Sequence, residues 1–258
     1  MLRLGLCCAF LEQPIKFRTT TASSFRKLPR RQTLSKLSAI CQGNGLALLA
    51  ALKFCHDQGI GCFRINSQIM PLRTHPDVGY RVEDLPNART IVDGFRACGE
   101  FAAKHRLRIT FHPDQFVVLS SPHPSVLRSS LDEIEYQAEV AEWVGADVIN
   151  IHGGGAYGDK TAALDRFRRN LDRLSPKARR HVTIENDDKI YTPADLLPLC
   201  QAEGIPLVYD VHQPERHHDF IDAKDFPKCW RGLDLTVEVE AKAKEVAVLR
   251  LAKQLAEH

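Results

Sequence analysis

A thiolate zinc site is built from closely spaced cysteine pairs, and this 258-residue chain has no CxxC anywhere. Its eight cysteines, Cys7, Cys8, Cys41, Cys55, Cys62, Cys98, Cys200 and Cys229, sit mostly in apolar patterns. They read as reduced core residues of a cytoplasmic protein. The apolar run "LGLCCAFL" is too short for a secretory signal. No apolar stretch approaches the ~18 residues that would cross a bilayer, so no membrane association is expected. No GxGxxG follows the first strand-like run, which weakens a dinucleotide-binding reading, and no GK[ST] ending marks a P-loop. Repeats, low-complexity tracts and linkers are also missing, so residues 1–258 are read as a single domain, acting as a monomer.

Charge is close to balanced. A net +3 permits a polyanionic partner without demanding one. The cations are clustered, however. "KFRTTTASSFRKLPRRQ" (16–32) holds six Lys or Arg and no acid, and "DRFRRNLDRLSPKARR" (165–180) holds seven against two Asp. Either run also fits a solvated loop or helix face.

Short β-rich runs alternate with longer helical periodicities. Strands are predicted over 2–8, 61–66, 107–112, 147–152, 181–186, 206–212 and 233–240. Between them, Leu127, Leu131, Ile134, Ala138, Ala141 and Val144 recur at helical spacing. "TPADLLPLCQAEG" carries Thr192 as an N-cap, Pro193 at the first helical position and Gly204 as a stop. Repeated strand–helix units with short connections imply an α/β fold of the TIM (β/α)8 type, with a parallel sheet and helices outside.

In such a fold chemistry sits at the C-terminal ends of the strands. Those ends read His112, His152, Glu185, Asp210 and Glu240, each closing an apolar run. Imidazole and carboxylate ligands together suit Zn²⁺, Mn²⁺ or Fe²⁺, and Glu185 and Glu240 are candidates to bridge two ions. "HGGGAYGDK" allows two readings, a phosphate held against the amides of Gly153, Gly154 and Gly155, or a flexible turn.

The segments "RLGLCC", "FRTTTA", "FRINSQIMPLRTHP", "ITFHPDQF", "INIHGGGAYGDK", "IENDD", "YDVH" and "EVEAKAKE" together resemble the UV damage endonucleases, relatives of endonuclease IV. The resemblance covers nearly the whole chain. It implies a TIM barrel with a cluster of divalent ions, Mn²⁺ first with Zn²⁺ or Mg²⁺ as alternatives. It also implies nicking of double-stranded DNA on the 5′ side of UV photoproducts and some other lesions. By the same resemblance His112, His152, Glu185, Asp210 and Glu240 match metal ligands, His217 is a further one, and Glu185, Asp210 and Glu240 are the catalytic carboxylates. Gln115 and Phe116 match a Gln–aromatic pair inserted into the duplex at the lesion. Leu6 stands where some members carry a Tyr as a second probe.

One strand–helix unit is missing. Between Asp210 and Leu233 lie 22 residues, whereas two crossovers and a strand need roughly 30. The resemblance places the gap after His212, where the family has a seventh strand bearing Lys and His ligands. The set His112, His152 and Glu185 survives for one ion, while the other ions lose ligands. Three functions stay open: a metal-dependent endonuclease, a catalytically defective remnant that binds damaged DNA, and a sugar isomerase-like barrel.

Overall fold

The computed structural model describes residues 2–187, 189–211, 219–230 and 232–257. In chain order its principal elements are β1 (Leu2–Cys7), α1 (Arg30–Asp57), β2 (Cys62–Ile65), α2 (Ala88–His105), β3 (Arg108–Phe111), α3 (Pro124–Val144) and β4 (Val148–His152). They continue with α4 (Lys160–Leu171), α5 (Pro176–Arg179), β5 (Val182–Glu185), α6 (Pro193–Glu203), β6 (Leu207–Val208), β7 (Leu235–Val239) and α7 (Lys244–Ala256). Every strand falls inside a predicted run.

Contacts divide the chain into two compact units. The first draws on Met1–Thr110, Trp143–Ala146 and Glu215–His258, the second on Phe111–Glu142 and Asp147–Pro214. In the first, β1 pairs in parallel with β2 (Leu6 opposite Phe63, Cys7 opposite Arg64) and with β7 (Leu6 opposite Val239). All four residues of β2 are buried, as expected of a strand covered on both faces. In the second unit β5 lies between β4 and β6, again parallel.

Local chemistry explains the helix ends. Thr192 accepts from the Asp195 amide at 3.3 Å while Asp195 accepts from the Thr192 amide at 2.8 Å, a reciprocal box with Pro193 behind the cap. Gly204 then ends α6 with φ +65°, in the left-handed region where a side chain would be strained.

Two expectations need correction. Helix α1, 28 residues long, is apolar and long enough to cross a membrane by length and composition. Half of the relevant window is buried inside the protein, and Leu37, Cys41, Leu48 and Leu52 are fully covered, as in a core helix. The second correction concerns β6, predicted over 206–212 but only two residues long. Within the second unit it has β5 as its one neighbour, and Tyr209 and Asp210 are exposed. The missing strand–helix unit is borne out: among the described residues between β6 and β7 there are two short 3₁₀ turns, Ala223–Asp225 and Lys228–Trp230.

Thr192→Ala removes one half of the reciprocal box and should cost about 1 kcal/mol. For a chain of this size that lowers the melting temperature by roughly 2–4 °C, readable by circular dichroism. An unchanged melt would show that α6 is held by packing alone.

Candidate metal centre

His112 follows β3 directly, His152 closes β4 and Glu185 closes β5. The β4–β5 register sets His152 opposite Glu185. The His112 Nε2 lies 2.8 Å and the His152 Nδ1 2.9 Å from the same oxygen, Glu185 Oε1. The two imidazole centroids are 4.8 Å apart. One ligand atom from each of the three residues lies within 4.8 Å of the others.

Two residues earlier on each strand, Asn150 stands opposite Thr183 on the same face. The Thr183 hydroxyl donates to Asn150 Oδ1 at 2.9 Å, and Asn150 Nδ2 donates to Glu185 Oε2. One carboxylate oxygen is thus tied down from below while the other faces both imidazoles. Sequence reading missed Asn150 and Thr183, although stepping back two residues from each strand end would have found them.

The His112 ring shows what the cluster lacks for neutrality. Its Nδ1 is 3.0 Å from the Pro113 carbonyl, which can only accept, so Nδ1 carries a hydrogen. Its Nε2 faces a carboxylate oxygen, also an acceptor, and a proton or a cation must lie between them. Burial alone would push Glu185 up, but the hydrogen bonds and charges of His112 and His152 outweigh it and hold this carboxyl well below its ordinary range. The hydrogen bond to Glu185 raises His152, against the opposing effect of burial and helped by the charges of Glu185, Asp187 and Asp210. Two imidazole nitrogens and a carboxylate, with one ring oriented by a backbone carbonyl and the carboxylate by an amide, fit a borderline divalent ion.

The other candidates are placed differently. Asp210 is exposed and outside this trio, but Asn186 clasps its backbone, donating to its carbonyl and accepting from its amide, both at 3.0 Å. Glu240, just past β7 in the first unit, is bound by Arg64, which also reaches Glu238 at 3.5 Å. His217 lies outside the described residues. Gln115 and Phe116 form a turn three and four residues after His112; Phe116 is 75% exposed, which excludes a core role for it. Leu6 is fully buried, so it is no counterpart of a probing Tyr. The glycines of "HGGGAYGDK" are neither loose nor idle. A Cβ at Gly153 would come within 2.7 Å of the Tyr191 ring, and one at Gly154 (φ +81°) within 2.4 Å of Val118. Close packing requires glycine at both, and at Gly154 the left-handed backbone requires it as well, so the close approach and positive φ expected of the run are used here in packing.

A parallel α/β chain whose strand ends bring two imidazoles and a carboxylate to one point defines the class: a (β/α)8-type fold, one strand–helix unit short, with a candidate metal centre. The profile of the UV-endonuclease UvdE family matches residues 2–215, and the chain belongs to that family. It is 37% identical over 204 residues to a UV DNA damage endonuclease of Bacillus thuringiensis subsp. konkukian (strain 97-27), and 36% identical over 204 residues to one of Bacillus cereus (strain 03BB102). Each match takes in 78% of this chain and 62% of the relative, so the chain spans under two thirds of the curated relatives it matches. The crystal structure of SacUVDE superposes with a TM-score of 0.86 at 26% identity, covering 100% of this chain and 99% of that one.

The ion-pair chemistry predicts a pH signature. The lowered Glu185 contributes stability that is complete above its ordinary value of 4.5 and lost as pH falls through its depressed value. The raised His152 contributes stability that is complete below its ordinary 6.5 and lost as pH rises through its elevated value. In metal-free protein the melting temperature of wild type minus that of Glu185→Gln should therefore be largest between 4.5 and 6.5 and shrink on both sides. A difference flat across pH would mean the cluster is not ionised as drawn.

Proposed function

We propose that this chain is a divalent-metal-dependent DNA repair endonuclease, nicking double-stranded DNA 5′ of UV photoproducts and related lesions. The observation that carries this is the His112–His152–Glu185 cluster with an exposed Gln115–Phe116 turn directly after its first ligand. Relatives named as UV DNA damage endonucleases support it. Family membership displaces the isomerase reading. The match to SacUVDE, which runs end to end, supports the proposal that residues 1–258 act as one domain, and they are proposed to act as a monomer.

His112, His152 and Glu185 would hold an ion, Mn²⁺ in the first instance. Such an ion supplies Lewis-acid stabilisation of a phosphoryl oxygen and lowers the pKa of a water. The chain's own residues do the rest. The Pro113 carbonyl fixes the His112 ring so that Nε2 presents its lone pair, and Asn150 keeps one oxygen of Glu185 turned toward both imidazoles. Phe116 offers an aromatic face to displaced bases, and Gln115 an amide to the hydrogen bonds they leave. Asp210, Glu240 and His217 are proposed as further ligands and, for the two acids, as catalytic carboxylates, on the resemblance alone.

A second reading, a remnant that binds damaged DNA without cutting it, is favoured by the missing unit between β6 and β7. Nicking of UV-irradiated plasmid with Mn²⁺ separates the two. Irradiated but not control plasmid should be nicked, and Glu185→Gln should lose both nicking and bound metal while keeping its circular dichroism spectrum. Gel shift without nicks would select the remnant. Phe116→Ala should narrow the preference for damaged over intact DNA with little change in salt dependence. Equal weakening of both substrates would remove the probing role.

A further inference from the structure

From Gln13 to His56 the chain runs 44 residues without an Asp or Glu while carrying eight Lys or Arg. Part of this stretch could be a solvated loop, but the first unit builds it into a wall. Phe17 stacks on Phe63 with centroids 6.0 Å apart, and Phe25 is 4% exposed. Between these anchors the Arg18 backbone is clamped by fully buried Asn44 of α1, which accepts from the Arg18 amide at 2.7 Å and donates to its carbonyl at 2.9 Å. The clamp holds the backbone and leaves the guanidinium outside. Thr21 is linked to the hydroxyls of Ser23 and Ser24 at 2.8 and 3.1 Å, so the next turn is ordered as well.

The wall borders an open cleft of about 390 Å³. Arg18, Thr19, Ser24 and Lys36 line it, and Phe25 and Ile40 contribute buried apolar surface. Arg30, by contrast, is occupied: it donates to the carbonyls of Val78 and Gly79 at 3.1 and 2.8 Å and lies 4.0 Å from Asp84. Among the described residues, neither the Arg18 guanidinium nor the Lys36 ammonium has an acidic partner. Two unneutralised cations, hydroxyl donors and an apolar surface suit a phosphate carrying a sugar and base, and the volume suits one nucleotide.

We propose that this cleft seats one nucleotide of a DNA strand, with the phosphate against Arg18, Lys36 and the hydroxyls, and the sugar over Phe25 and Ile40. The inference rests on the endonuclease reading and adds to it a backbone-holding site on the first unit, away from the residues of the metal cluster in sequence and in unit. Contacts of this kind set affinity and register and are blind to the lesion.

Fluorescence anisotropy with irradiated and unirradiated duplexes of one sequence, over a range of KCl concentrations, tests it. Arg18→Glu and Lys36→Glu should each weaken both duplexes by the same factor, roughly tenfold, and lower the salt slope by about one. Arg18→Lys should keep the slope, and melting temperatures should hold because both side chains are exposed. Wild-type binding with unaltered affinity and slope in both reversals overturns the cleft alone. Wild type that binds neither duplex sinks the endonuclease reading and this inference with it. Calorimetric titration with thymidine 5′-monophosphate covers the remaining source of phosphate. Binding to wild type but not to Arg18→Glu, with duplex affinity unaffected, would assign the cleft to a free nucleotide and overturn the strand proposal.

Discussion

The candidate centre depends on one register, the parallel pairing that sets His152 of β4 opposite Glu185 of β5. Side chains alternate faces along a strand, so a slip of one residue would turn every functional group on one strand away from its partner. What forbids the slip is the opposite face. Ile149, Ile151, Val182 and Ile184 alternate with the polar residues and are at most 1% exposed. Core packing thereby fixes chemistry it does not touch. The same register stacks Asn150 and Thr183 beneath the ligands, and orientation of the carboxylate comes from the strand pairing itself.

Buried charge is the second constraint. Glu185 is 7% exposed, and an isolated carboxylate there would cost several kcal/mol. Two imidazoles and an amide compensate it. The first unit repeats the theme with different groups. Arg64 of β2, 9% exposed, is held by Glu238 and Glu240, and sits in register with Cys7, whose thiol burial pushes up so that it stays neutral. Buried ion pairs are poor investments for stability, since well-packed apolar residues do as well or better. Ionic clusters at or beside the C-terminal ends of otherwise apolar strands are therefore hard to explain by stability, and easier to explain by a ligand.

What could be read in the sequence follows from which interactions are local. The strand ends were legible because His112, His152 and Glu185 each interrupt an apolar run, and α6 because Thr192, Pro193 and Gly204 act within a few residues of themselves. The brevity of β6 was not, because strand length depends on a neighbour chosen by tertiary structure. Packing partners were hidden for the same reason: nothing beside Gly154 in the chain announces Val118 thirty-six residues earlier. The reading of apolar runs passed over α1, whose length and composition would also suit a membrane span, because a buried core helix and a membrane-spanning one carry similar residues. Asn150 was overlooked by looking at strand ends only, although the period of two was available.

The gap after Asp210 raises a physical question that the second unit answers in part. A strand deprived of a neighbour leaves amides and carbonyls unpaired, and each one buried costs about 1–3 kcal/mol against a total stability of roughly 5–15 kcal/mol. Among the described residues, two features at the end of β6 limit that cost. Pairing of β6 stops at Val208, and the next residue, Tyr209, is 54% exposed. At Asp210 the side chain of Asn186 imitates a strand, offering both a donor and an acceptor to the backbone where the β5–β6 ladder has ended. The cost of the missing neighbour thus shrinks to the part of a strand that never forms. The end-to-end match with SacUVDE, 99% of that chain, fits this account: a crystallised protein shares the fold along its whole length, and in this chain the β6 edge is managed by early termination and by side-chain mimicry of the ladder.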